Sequence, residues 1–229
     1  MASVKMRMLI LHLCCASLDI YLSFIASPVL TLPIVAGYPL GLSLIIGIPT
    51  SIQVYIGVTF IGVTACIIGL FFENRYHVLV KGDNSMKLGR KIYYVIVMAF
   101  GLTFIAPAYL NVPDQENAKV MIQERLPCIT TDILNRPGFF TLSVDPFIPC
   151  VLCALSIVVS VVSQAFFIIK CVHYFQANLS LSRKTLSMQK QFFVALSIQV
   201  FIPITVISLP AVYVVTAGLS DYFNQGTIK

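Results

Sequence analysis

The sequence predicts an all-α, polytopic transmembrane helix bundle of about five spans. Composition is the first reason. Charged residues make up 10% of the 229-residue chain and hydrophobic ones 58%, with a mean hydropathy of +0.92. Soluble domains carry about 25% charged residues, so most of this surface must face lipid. The second reason is an uninterrupted apolar tract: the 53 residues between Asp19 and Glu73 contain no Asp, Glu, Lys or Arg. One crossing needs only about 20. Lipid offers no partner to an open backbone group, which leaves helices or closed barrels. A barrel would show alternating segments of roughly ten residues, and these apolar runs are continuous.

Taken in order, the first span is expected over residues 8–35, broken by Asp19, and the second over 42–72. Ala36-Gly37-Tyr38-Pro39-Leu40-Gly41 between them reads as the turn that divides the long apolar tract. The third span is expected over 92–110, the fourth over 147–169 and the fifth over 192–216. Prolines at 28, 33, 49, 149, 203 and 210 should kink or cap these helices, which membrane helices tolerate. Lys5 and Arg7 precede the first run as in a signal peptide. That run lasts about 28 residues, against roughly 7–15 for a signal core, so it reads as a helix that stays.

Orientation follows from Lys and Arg. With the amino terminus in the cytoplasm, Lys5, Arg7, Arg75, Lys81, Lys87, Arg90, Lys91, Lys170, Arg183, Lys184 and Lys190 lie inside. Only Lys119, Arg125, Arg136 and Lys229 lie outside, so the division is eleven to four. Residues 111–146 then form one long outer loop, and the carboxyl terminus is outside. The Asn178-Leu-Ser glycosylation acceptor falls on the cytoplasmic side and is expected to be unused.

The net charge of +6 does not point to nucleic acid, because the cations sit in short loops and form no basic face. Nothing suggests catalysis, a cofactor or a metal. His12, His77 and His173 are scattered, and no phosphate loop or nucleophile elbow appears. Cys150-Val-Leu-Cys153 has a redox or zinc spacing but lies in an uncharged run without a second pair. It reads as small hydrophobes. A transporter or channel would show internal repeats and several intramembrane charges, whereas this chain shows no repeat and one intramembrane acid.

That acid, Asp19, should face the bundle and find a partner, because a charge at mid-membrane costs at least about 2.5–3.5 kcal/mol. It reads either as an internal polar or ion site that couples helices, or as a neutral, hydrogen-bonded acid that helps packing. Gln53, Gln164 and Gln199 are expected to bond between helices. At the inner end of the second span stands Phe72-Glu73-Asn74-Arg75-Tyr76. An arginine there is either a switch, held by polar neighbours in a closed bundle and released to a partner in an open one, or a snorkelling anchor. Lys170, Arg183, Lys184 and Lys190 carry no acid among them. They read as positive-inside charge, with a G protein or anionic lipid as the other candidates.

The chain resembles the nematode serpentine receptors of class H (Srh), a family of seven-transmembrane chemoreceptors. Ser3-Val4-Lys5 to Leu9 with His12 resembles the approach to that family's second helix, and Ala36 to Gly41 its next turn. Phe72 to Tyr76 resembles its arginine motif. Ser182-Arg183-Lys184-Thr185, Met188-Gln189, Ala195-Leu196, Gln199, Ile202-Pro203 and Pro210 resemble the run into and through its sixth helix. Pro113-Asp114-Gln115 and Pro127-Cys128 fit its outer loop.

The resemblance implies a receptor in the plasma membrane, with sensory neurons as the expected cells, that binds an external small molecule and drives nucleotide exchange in a heterotrimeric G protein through Glu73, Asn74, Arg75 and Tyr76. It also implies that the five spans correspond to the second through sixth of seven, so the receptor fold is expected to be partial, without the first and seventh helices. A non-signalling receptor fragment is the alternative. Many seven-helix receptors tie the top of the third helix to the second outer loop by a disulfide. Here Cys128 lies in the matching loop, but no cysteine falls between Cys15 and Cys66 to meet it.

Overall fold

The computed structural model describes residues 2–32, 34–80, 87–127 and 129–177, and scattered positions between 187 and 217. Four helices in it are long and apolar enough to cross a membrane: Met6–Ala26, Thr50–Leu79, Leu88–Tyr109 and Phe147–Gln176. The protein is a multi-pass membrane protein built as a helical bundle. Of the expected fifth span, the described positions are helical, and the remainder lies outside the described residues.

Helix α1 (Ala2–Ile20) continues into a π-helical turn, Tyr21–Ala26. It stops where Ser27 adopts a left-handed backbone (φ 39°) and Pro28 removes the next amide donor. The first span is therefore shorter than residues 8–35. The rest of that stretch enters a hairpin of β1 (Pro28–Leu30) and β2 (Val35–Pro39), paired antiparallel with Val29 opposite Tyr38. Ala36 to Pro39, expected in a turn, belong to β2, and the chain reverses before them. A Cβ at Gly37 would run into the backbone of Val29, so glycine is there for close strand approach rather than for a turn.

A short helix α2 (Leu42–Ile46) ends at Gly47, φ 80°. After Pro49 the long helix α3 (Thr50–Val80) begins. The second span thus starts later and ends later than 42–72. Gln53 closes this corner: its side-chain amide donates to the Ile48 carbonyl at 2.7 Å, and its Oε1 lies 2.6 Å from Ser43 Oγ. Tyr21 OH donates to the Gln53 carbonyl at 2.7 Å.

Helix α3 is the axis of the bundle and packs against α1, α4 (Leu88–Thr103) and α8 (Phe147–Ala177). In its apolar window 39% of the residues are buried, against 17% for α4 and 11% for α1 and α8. A helix that is apolar all round is the kind that can take a central place. Helix α4 begins earlier and ends earlier than the expected 92–110, and α8 extends beyond the expected 147–169. Gln164 of α8 reaches across to the Ala65 carbonyl of α3 at 3.4 Å, a bond between helices as expected. Gln199 lies outside the described residues.

The long loop between α4 and α8 is folded rather than open. After the single turn α5 (Ala106–Tyr109) come α6 (Gln115–Arg125), α7 (Thr131–Leu134) and strand β3 (Phe140–Ser143), which adds to β2. Asp114 caps α6 by accepting from the Asn117 amide at 3.2 Å. Gln115 accepts from the Thr141 amide at 2.8 Å, and Thr50 Oγ1 donates to the Gly138 carbonyl at 2.7 Å. Ile34, Ala36, Ile122, Leu126, Ile129 and Leu134 form a core for this cap.

Where α3 and α4 cross, their backbones nearly touch. A Cβ at Gly62 would lie 2.8 Å from the Gly101 carbonyl oxygen, and one at Gly101 would lie 2.8 Å from Cys66 Sγ. Membrane helices attract one another through such close contacts between small residues. Gly62→Leu and Gly101→Leu should each lower the unfolding free energy in detergent by about 1–3 kcal/mol. Gly89→Ala, in open space, is the control and should leave it unchanged. Equal thermal unfolding for all three variants would show that the helices do not meet here.

Candidate functional site

Four consecutive helical residues sweep around a helix at roughly 100° per step, so Glu73, Asn74, Arg75 and Tyr76 cannot share one neighbour. The structure distributes them over three. Glu73 is 3% exposed and faces α4. Arg90 of α4 grips its carboxylate with both ends of the guanidinium fork, Nε to Oε1 at 2.9 Å and Nη2 to Oε2 at 3.0 Å. Tyr94, one turn further along α4, donates to Oε2 at 2.7 Å. His77, one turn further along α3, places Nε2 at 3.1 Å from Oε1. Asn74 Oδ1 accepts from Arg90 Nη2 at 3.3 Å. Arg7 of α1 donates to Tyr94 OH at 3.0 Å, so three helices meet at one carboxylate.

The other half of the motif turns away. Arg75 is buried, with its guanidinium 5.8 Å from the centre of the Phe71 ring. Tyr76 is half-buried, with its ring 6.0 Å from that of Phe167 on α8. Beneath them lies a core of Leu11, Ile68, Phe71, Phe72, Cys171, Phe175 and Phe193. An arginine enclosed in this way is not a snorkelling side chain stretched toward water.

The arrangement has the chemistry of a clamp. A bidentate Arg–carboxylate pair is directional and about twice as strong as a neutral hydrogen bond. At the end of a membrane span, little water competes for either partner. The sequence reading placed Arg90 and Arg7 among the solvated inner cations. Lys87 and Lys91 on either side of Arg90 are exposed, as that reading requires, but Arg90 itself is 7% exposed. Arg90, Tyr94, Arg7 and His77 were not anticipated as site residues. Two signals pointed to them: a helix-end glutamate that needed a cation, and Arg90 and Tyr94 one turn apart on one helix face.

Asp19 does not join this site. It was expected to face the bundle, but it lies on the exposed side of α1, one residue round from buried Leu18. The apolar residues Leu11 and Leu18 take the inward face instead, because seven residues make nearly two full turns and the helix cannot also point its next residue inward. Cys128 lies outside the described residues. Cys66 is a free thiol that donates to the Val97 carbonyl at 3.3 Å. Cys150 and Cys153 are free, and no group of three or more metal-ligating side chains converges among the described residues.

In a comparison with protein families, residues 1–229 match the family model described as serpentine type 7TM GPCR chemoreceptor Srh. No curated protein and no solved structure matches the chain.

Removing Arg90 would strand a buried carboxylate. Arg90→Ala should cost about 3–5 kcal/mol of stability. Arg90→Lys should fall between, because an ammonium cannot bridge both oxygens. Glu73→Leu combined with Arg90→Met should recover most of the loss. Thermal unfolding in detergent measures all three. A drop below about 1 kcal/mol for Arg90→Ala, the range of exposed pairs, would mean that the pair is not buried in the working protein.

Proposed function

The chain belongs to the Srh family of serpentine seven-transmembrane G protein-coupled chemoreceptors, and from that premise we propose that it senses an external small molecule and signals to a heterotrimeric G protein through the inner end of α3. The observation that carries the proposal is the Glu73 cluster. It holds α3 to α4 and α1 through a few charged side chains, in the same helical turn as the enclosed Arg75. Loosening the cluster lets the inner ends of α3 and α4 part. Arg75 then leaves its buried seat and meets the partner with its five donors. The positive-inside bias supports a cytoplasmic position for this end, with eleven Lys and Arg against four. The folded outer cap faces the medium, where the ligand arrives. Family membership supports the plasma membrane as the location.

The direct test is nucleotide exchange in membranes that contain the chain and a G protein heterotrimer, normalised to the amount of receptor. Glu73→Gln weakens a charged hydrogen-bond set by roughly 1.5–3 kcal/mol and should raise basal exchange several-fold. Arg75→Ala should abolish the rise. Exchange that responds to neither change would leave the chain as a non-signalling member of the family. Orientation is checked separately by epitope insertion. A tag within residues 111–145 should be reached by antibody on unpermeabilised cells, and a tag within 81–86 should not. The reverse pattern would place Arg75 on the wrong side for a G protein.

A further inference from the structure

A groove runs between the last turns of α8 and the helical positions that begin at Lys190. It encloses about 280 Å³ and is lined by Ile168, Val172, Phe175, Phe193, Val194 and Ile198, with Gln176, Lys190 and Ser197 as its polar members. Its floor is shut. Phe175 and Phe193 are buried, their rings 5.6 Å apart, and Phe193 packs edge-on against Phe72 at 6.4 Å. Its walls are open: Val172 is 41% exposed, Val194 46% and Ile198 62%. The groove therefore opens sideways into the bilayer and not toward the bundle axis.

Polarity along the groove is graded. Gln176 stands at the end of α8, next to its last residue, and Lys190 lies near the start of the facing helical stretch. Ile168 lies roughly 12 Å deeper along α8 at 1.5 Å per residue. The described charge on the groove, Lys190, is cationic. Lys170, Arg183, Lys184 and Lys190 belong to this part of the chain, and no Asp or Glu occurs between Asp145 and Asp221. Lys170 is drawn aside, with its ammonium 5.5 Å from the Phe166 ring centre, which leaves Lys190 as the described cation on the groove.

We propose that this groove binds one anionic phospholipid of the adjacent leaflet, with an acyl chain against Val172, Val194 and Ile198 and the phosphate on Lys190 and Gln176. An acyl chain suits an apolar slot that opens to hydrocarbon. A protein helix would need a wider opening and partners for its own polar groups. The headgroup must be anionic because Lys190, the charged side chain among the described residues that line the groove, is positive. The site is distinct from the Glu73 clamp. It abuts the same aromatic core through Phe72, the residue before Glu73, and does not require that the chain signal.

The chain contains no tryptophan, so a single introduced indole reports on its own surroundings. The full chain carrying Val172→Trp is reconstituted in phosphatidylcholine vesicles, and quenching by dibrominated phosphatidylserine is compared with quenching by dibrominated phosphatidylcholine. Val194→Trp, on the opposite wall, is a second reporter in case the first variant folds poorly. Val95→Trp is the control, on the 67%-exposed surface of α4 away from the groove. Phosphatidylserine should bind at the groove roughly fivefold more tightly than phosphatidylcholine. The preference should be near unity at Val95→Trp and should vanish at the groove with Lys190→Gln. Equal quenching by the two lipids at both groove positions would overturn the proposal. So would the same preference at the control, which is general surface attraction, or a preference that survives Lys190→Gln.

Discussion

The bundle depends on one carboxylate that has nowhere else to go. Glu73 sits inside the joint of α1, α3 and α4, and an isolated ion in that setting would be too costly to keep. Its cost is offset only when Arg90, Tyr94 and His77 converge on it, and Arg7 reaches it through Tyr94. Those residues come from three helices, so the need to satisfy one group sets their mutual positions at the inner end. Apolar packing alone would be tolerant of sliding, because lipid is as good a solvent for Leu and Ile as a neighbouring helix is. The charged joint adds the registration that hydrocarbon contact lacks.

The fold was legible in the sequence where a single strong rule applies. Long, predominantly apolar segments that cross lipid must be helices, and four are described as such. The family resemblance, carried by the Phe72 to Tyr76 motif and the passages around it, agrees with a match along the whole chain. Boundaries were less legible because composition does not report where a helix stops. Residues 27–35 are as apolar as the helix before them. They leave it because Ser27 turns left-handed and Pro28 cannot donate. The strands were hidden for the same reason: Val35 to Pro39 looks like turn chemistry, and only pairing with Pro28–Leu30 and with Phe140–Ser143, a hundred residues away, makes it a strand.

The site was half legible. Glu73 to Tyr76 could be picked out as a unit, but the unit is divided in space between α4, the aromatic core and α8. Its main partner, Arg90, was read with Lys87 and Lys91 as loop charge. Counting cations assigns a side of the membrane, whereas helical phase assigns a neighbour, and only phase separates Arg90 from the two lysines beside it. Asp19 shows the same contrast between cost and phase. Its cost in lipid argued for an inward position, yet the apolar phase of Leu11 and Leu18 turned it outward.

The two ends of the bundle are joined by unlike means. At the outer end, β2 pairs with both β1 and β3, so the exit from α1 and the approach to α8 are stitched into one sheet by main-chain bonds. At the opposite end, the described contacts that hold α3 to α4 and α1 are made by side chains. Such an object behaves as tongs with a fixed fulcrum: the helices are pinned where the chain is woven and free to spread where it is merely clasped. A small disturbance near the fulcrum is geared up along the roughly 45 Å of a 31-residue helix. A signal that enters at the woven end would therefore be delivered as displacement, at the end that carries Arg75.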